Sequence, residues 1–260
     1  MALALTVVSI PSLSLGFMQA AGTYARLPEL ERSALIAGVP IGAYTMTLSV
    51  VAIVVAAAIA TRPSPAAARS PRILLASALV IFGGVGWWAA FALAADKVLL
   101  AIEPGSDLSC NVSLLVQCGA NLESWQGSVF GFPNPLIGLA GWAAVAVVGC
   151  LVLARVSLAP WFWIAFNLGV AAALAFVVWL IAQSIFVLGT LCPWCMVTWA
   201  VTIPLFWAVT LHNASWGRFG EWMARAVGPA YGWVPAITIG SYIVVAVVAQ
   251  LRLDVLGQLG

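Results

Sequence analysis

The 260-residue chain is 64% hydrophobic and 7% charged, with a mean hydropathy of +1.11, whereas soluble domains carry about 25% charged residues. That composition excludes a soluble enzyme and puts the chain in a membrane. Ten Lys and Arg against eight Asp and Glu leave a formal charge of +2, and no basic run of the kind that binds nucleic acid is present.

A spanning helix needs about 20 mostly apolar residues, and only helices or closed barrels satisfy their backbone polar groups in hydrocarbon. Long continuous apolar blocks exclude the barrel. The first block, 3–19, is short and carries Pro11 and several Ser. It reads either as a helix or as a signal-like apolar stretch, and the lack of a basic run before it or of a convincing A-x-A-like site favours the helix. Clear spans follow at 34–60, 73–95, 136–154, 161–188, 196–211 and 234–251, for an all-α polytopic protein of about seven helices. A polar, Pro-containing linker occupies 61–72, and no internal repeat is evident. The expected units are an N-terminal hairpin and linker (1–70), a four-helix core (71–212) with an outer loop (96–135), and a last loop and helix (213–260).

Lys and Arg in short loops predict orientation. Arg62, Arg69 and Arg72 share one connection, Arg155 lies in another, and Arg218 and Arg225 in a third; alternation puts all three on the cytoplasmic side. The other side receives Arg26, Arg32, Lys97 and Arg252, with Glu29, Glu31, Asp96, Glu103, Asp107, Glu123 and Asp254. It also receives Cys110, Cys118, Cys192 and Cys195, so four of the five cysteines face an oxidising compartment. The connection 96–135 is too long to be idle in a compact protein. Within it Leu122, Trp125, Val129 and Phe130 recur at helical spacing, which predicts a half-helix in the interface, forming a lid over the bundle.

Cys192-Pro193-Trp194-Cys195 opens the span that begins at 196. Cys192 is expected to cap that helix, with Pro193 at its first position and Cys195 one turn in on the same face. The positive end of the helix dipole favours a thiolate there. Cys192 is then the outward, exchanging thiol, and Cys195 points into the bundle. Half of a zinc site is the bland alternative, but it needs a second close pair, whereas Cys110 and Cys118 have seven residues between them. A static bridge is a second, yet a CxxC disulfide closes a small, reducible ring. Haem is set aside, because the one histidine, His212, lies at a cytoplasmic end as a solvated or dipole-pairing residue.

The stretch from Cys118 through Ser124-Trp125 and Phe132-Pro133-Asn134-Pro135, followed by Cys192-Pro-Trp-Cys195, resembles the vitamin K epoxide reductase family in its bacterial, especially actinobacterial, form. The resemblance covers about 74–211 and leaves the first seventy residues uncovered. It implies a four-helix bundle enclosing a quinone, menaquinone or another lipid quinone, with a cysteine loop outside. It further implies that a DsbA-like thioredoxin-fold partner reduces a Cys110–Cys118 disulfide, that Cys118 attacks Cys192, and that Cys195 reduces the quinone. DsbA-type pairs lie near about −120 mV, so reoxidising them takes an acceptor at least comparably oxidising. The implied place of action is the extracytoplasmic face of the cell membrane, and the implied output is disulfide formation outside it.

Asn134 matches the family asparagine that hydrogen-bonds a quinone carbonyl, and Asn134-Pro135 also reads as a helix N-cap. Ser124 matches a family serine near the cysteines, or is an ordinary interfacial hydroxyl. Trp199 stands where animal members carry a quinone-binding tyrosine; its N–H has a different reach, so it donates differently or only stacks, which weighs against epoxide reduction. Cys150 reads as a small apolar residue, Asp96 and Lys97 as interfacial anchors, and Trp87, Trp88, Trp161 and Trp163 as aromatic belts. Two other classes compete with the redox enzyme: a membrane scaffold with static disulfides, and a metal-binding membrane subunit.

Overall fold

A computed structural model describes residues 35–36, 39–60, 73–227 and 230–259. The predicted span 3–19, the linker 61–72 and the charged residues Arg26, Glu29, Glu31, Arg32, Arg62, Arg69 and Arg72 lie outside these. Leu35–Ile36 pairs antiparallel with Val39–Pro40 ahead of helix α1 (Ile41–Ala60). Then come α2 (Ile73–Ile102), the short α3 (Gly119–Glu123) and a 3-10 turn (Trp125–Ser128). Helix α4 (Asn134–Leu153) follows, and α5 (Pro160–Ala182) runs on through a π turn (Gln183–Leu188). The chain ends with α6 (Pro193–Ser215), α7 (Glu221–Val227), a 3-10 turn (Ala230–Trp233), α8 (Val234–Leu253) and α9 (Val255–Leu259). Five of these helices are long and apolar enough to cross a membrane: α2, α4, α5 with its π turn, α6 and α8.

Helix α2 packs along α4 and α6, α1 lies against α4, and α5 pairs with α6. Between helices in lipid there is no hydrophobic drive, so close packing of small residues does the work. A Cβ on Gly83 of α2 would sit 2.6 Å from the Ala146 backbone N of α4, so only glycine permits that approach. Leu75, Leu79, Leu136, Leu139 and Val148 close the α2–α4 seam with almost no exposure.

Pro204 lies inside α6 and cannot donate to the carbonyl of Ala200 one turn back. Tyr242 of α8 donates its hydroxyl to that carbonyl. The vacancy left by proline thus anchors the last helix to the core, where Ala249 meets Ile181, Ile185 and Trp199.

Three expectations change. Helix α2 does not end at 95: it continues to Ile102 with Asp96 and Lys97 inside it, since Val98 to Ile102 continues the apolar helical pattern. At about 1.5 Å per residue, its 30 residues exceed the roughly 30 Å hydrocarbon layer, so the last turns carry that pair to the membrane edge. The expected half-helix is two short turns, because Ser124 is extended (φ −68°, ψ 156°); Leu122 points into the core while Trp125 and Phe130 stay exposed. Trp163 and His212 belong to neither an aromatic belt nor a solvated end: both are buried, their rings 4.5 Å apart.

Candidate functional site

The site forms where the loop after α2 meets the start of α6. Cys110 and Cys118 are joined in a disulfide, and Cys192 and Cys195 are free. Backbone bonds set the register of these sulfurs. Leu191 N–H donates to Leu115 O (2.8 Å) and Gln117 N–H to Leu191 O (3.0 Å), a parallel bridge of Val116 with Leu191. The loop is thereby fixed one residue before Cys192 and two before Cys118, and the Cys192 and Cys118 sulfurs lie 3.3 Å apart. Asn111 Oδ1 accepts the Cys118 and Gly119 N–H groups (3.0 and 3.3 Å), capping α3 where Cys118 itself offers no cap.

Helix α6 starts as the sequence predicts. Cys192 is the N-cap with β-region dihedrals, its sulfur accepts the Cys195 N–H at 3.4 Å, and Pro193 occupies the first turn. The Cys195 hydrogen bond lowers the Cys192 thiol below its ordinary range, helped by the Cys195 and Trp194 backbone N–H groups and opposed by burial and the Asp96 charge. The sulfur nonetheless does not face outward, because the folded loop covers it completely. It faces Cys118, whereas Ser109, Asn111, Val112 and Leu114 around Cys110 are exposed.

Cys195 lines a cavity of about 480 Å³, within the roughly 300–1,000 Å³ of small-molecule sites. Its walls are mostly apolar, from α2, α4, α5 and α6; Asn134, Ser124, Asn121, Gln126, Gln183 and Ser184 line its cysteine end, and Thr198 and Thr202 line it along α6. The exposed Gly141 of α4 and Gly169 of α5 line the cavity, and neither adds a side chain to its wall. Such a cavity suits a flat ring with hydrogen-bonding groups at one edge and an apolar tail.

Asn134, Ser124 and Trp199 all line this cavity. Asn134 is the first residue of α4, and its side chain caps nothing: Nδ2 donates to Gln126 O (2.6 Å) and Oδ1 accepts the Val129 N–H (3.2 Å). The amide clamps the 126–134 loop and keeps one N–H to offer. Ser124 Oγ donates to Asn121 O (2.7 Å). Trp199 is buried on the Cys195 side of α6, in the cluster that Ala249 joins.

Seven polar residues of the site carry no motif. Buried Asn121 donates to Thr190 Oγ1 (2.9 Å) and accepts from Ser184 (3.0 Å), tying the lid to the turn before Cys192. Gln126 donates to Gln183 Oε1 (3.2 Å) while its own Oε1 is buried without a partner. Asp96 Oδ2 lies 3.5 Å from Cys110 Sγ, and Lys97 donates to the Leu122 carbonyl. A long-range polar contact leaves no periodic trace, so the one available signal is a polar residue inside an apolar run, as at Lys97 and Gln183. Asp96, Cys110 and Cys118 bring three metal-capable atoms within 4.8 Å of one another, but both sulfurs are spent in the disulfide.

No curated protein and no solved structure matches the chain. The sequence pattern of the Vitamin K epoxide reductase family matches residues 77–210, a little over half of the 260 residues. That segment contains the four clustered cysteines, the lid and the cavity helices, and its members are membrane oxidoreductases that act on thiols and quinones. The chain belongs to the vitamin K epoxide reductase family.

Proposed function

We propose that the chain reoxidises a DsbA-like thioredoxin-fold protein on the extracytoplasmic face and passes the electrons to a lipid quinone, driving disulfide formation there. The observation that carries this reading is one continuous path: the Cys110–Cys118 disulfide, Cys192 at 3.3 Å from Cys118, and Cys195 on the wall of the cavity.

The partner's thiolate attacks Cys110, the sulfur beside the exposed loop tip, and Cys118 leaves. Cys118 then attacks Cys192 in the oxidised CxxC and frees Cys195. The partner's second thiol attacks its mixed disulfide with Cys110, so the partner leaves oxidised and Cys110 is freed as a thiol; Cys110 then closes back on Cys118, restoring the loop disulfide and releasing Cys192. A loop disulfide beside a CxxC dithiol is the state reached after this transfer, before the pair gives its electrons to the acceptor. A bound quinone accepts two electrons and two protons. Asn134 offers it the spare N–H, and Gln126 offers an unpartnered acceptor for a hydroxyl of the reduced ring. Trp199 walls the ring site on the Cys195 side. Residues 71–212 form the catalytic unit in this reading, and α8 braces it through Tyr242.

The test is thiol-dependent quinone reduction by the purified full chain, with a reduced DsbA-like protein as donor. Loss of the exchanging and quinone-facing thiols removes the covalent route altogether, so Cys192→Ala and Cys195→Ala should each reduce turnover at least about 1,000-fold. Normal turnover in Cys195→Ala overturns the reading and favours a static scaffold.

A further inference from the structure

Asp96 is unaccounted for by the relay. It lies in the last turns of α2, half-buried, beside Lys97, which donates to the Leu122 carbonyl of the lid. Among the described residues, the polar contact of the Asp96 carboxylate is Cys110 Sγ at 3.5 Å. A disulfide sulfur has no proton to give. The contact therefore becomes a hydrogen bond only when Cys110 carries S–H, which in the relay is the moment before it closes back on Cys118. Facing the carboxylate are Cys110 and Cys118 from the loop and Cys192 from the start of α6, with Lys97 next to it on α2.

We propose that Asp96 is the proton acceptor for Cys110 in the step that restores the loop disulfide. This rests on the relay order proposed above. In the Cys118–Cys192 mixed disulfide, the Cys110 thiol passes its proton to Asp96 Oδ2 as its sulfur attacks Cys118. The Cys110–Cys118 bond forms, the Cys118–Cys192 bond breaks, and the electron pair leaves on Cys192 as a thiolate held by the Cys195 N–H. Ionised Asp96 works against that thiolate, so taking the proton removes the opposing charge as Cys192 is released. Two electrons and one proton move, and no other reactant is needed.

The experiment uses the purified full chain with dithiothreitol as donor and a soluble quinone, read as turnover against pH and as trapped disulfides after acid quench and peptide mapping. General-base catalysis is worth about 100-fold or more, so Asp96→Asn should slow turnover at least about tenfold near pH 6.5 and accumulate the Cys118–Cys192 linkage. Its rate should recover near pH 8.5, where a thiol ionises unaided. Asp96→Glu, which keeps a carboxylate, should restore most of the rate at low pH. A loss of equal size at every pH, or a loss without the Cys118–Cys192 linkage, overturns the proposal in favour of a structural role; so does an unchanged profile. Cys110→Ala separates this from failure of the relay itself: it should trap Cys118–Cys192 on its own, and if that linkage never forms, the relay order and the role of Asp96 fall together.

Discussion

The two ends of the α5–α6 pair spend buried polar groups in opposite ways. Where α5 begins and α6 finishes, Asn213 is fully buried and fully used: Nδ2 donates to Trp163 O (3.0 Å) and Asn167 Oδ1 (3.2 Å), and Oδ1 accepts from Arg218 (3.1 Å). Arg218 lies over the Trp163 and Trp216 rings, 5.3 and 5.4 Å from their centroids. At the other end the polar groups hold the lid but leave reactive remainders: two free thiols, the unpartnered Gln126 Oε1 and the spare N–H of Asn134. A satisfied network rigidifies, whereas an unsatisfied one waits for a ligand. The Asn213 network is locked, although Thr210 Oγ1 one turn away is buried without a partner, and the cysteine end is poised.

Asn213→Leu tests the locked end and should have the larger effect. It strands the Trp163 carbonyl and Asn167 Oδ1 and takes one acceptor from Arg218, which costs about 2 kcal/mol, seen as a lower melting temperature of the full chain. Activity per folded molecule should be unchanged; a selective loss of catalysis would break the division between the ends. Gln126→Leu tests the poised end with the reverse pattern. Stability should fall less than in Asn213→Leu, because the lost bond to Gln183 Oε1 is partly offset by removal of an unsatisfied acceptor, while kcat/KM for quinone falls about tenfold, or about 1.4 kcal/mol. Equal losses in stability and in kcat/KM would mean that Gln126 only braces the lid.

The smallest effect is a pH dependence of the reduced protein. Folding lowers the Cys192 thiol below the roughly 8.5 it has when unfolded, chiefly through the Cys195 hydrogen bond. The folded state therefore loses its proton first. Stability rises with pH between that lowered value and about 8.5, and the contribution is lost as pH falls through the folded value. Melting temperatures measured across this window should show the rise, and Cys195→Ala should flatten it.

Much of the site was legible because its chemistry is local. Cys192, Pro193 and Cys195 need only a helix start to acquire their roles, and that start is written in three residues. Asn134 was legible as a site residue but not in what it holds, since its partners, the Gln126 carbonyl and the Val129 N–H, lie on a loop whose path no pattern dictates. Asp96 and Lys97 read as anchors for the same reason: their partners, Cys110 and Leu122, are 14 and 25 residues away. Tyr242 carried no signal at all, although Pro204 announced that one carbonyl in α6 would need a partner.

Composition and hydropathy by themselves determined a helical membrane protein, because a backbone in hydrocarbon has few ways to satisfy its polar groups. Local motif chemistry determined a capped, reactive CxxC, because an N-cap and a helix dipole act within one turn. Only the tertiary structure decided that the loop covers Cys192, that Cys118 meets it at 3.3 Å, and that a carboxylate stands at Cys110. Those facts rest on the Val116–Leu191 bridge and the Asn121 bonds, which join segments dozens of residues apart. Contacts of that kind follow from how helices pack, not from the order of residues along any one of them.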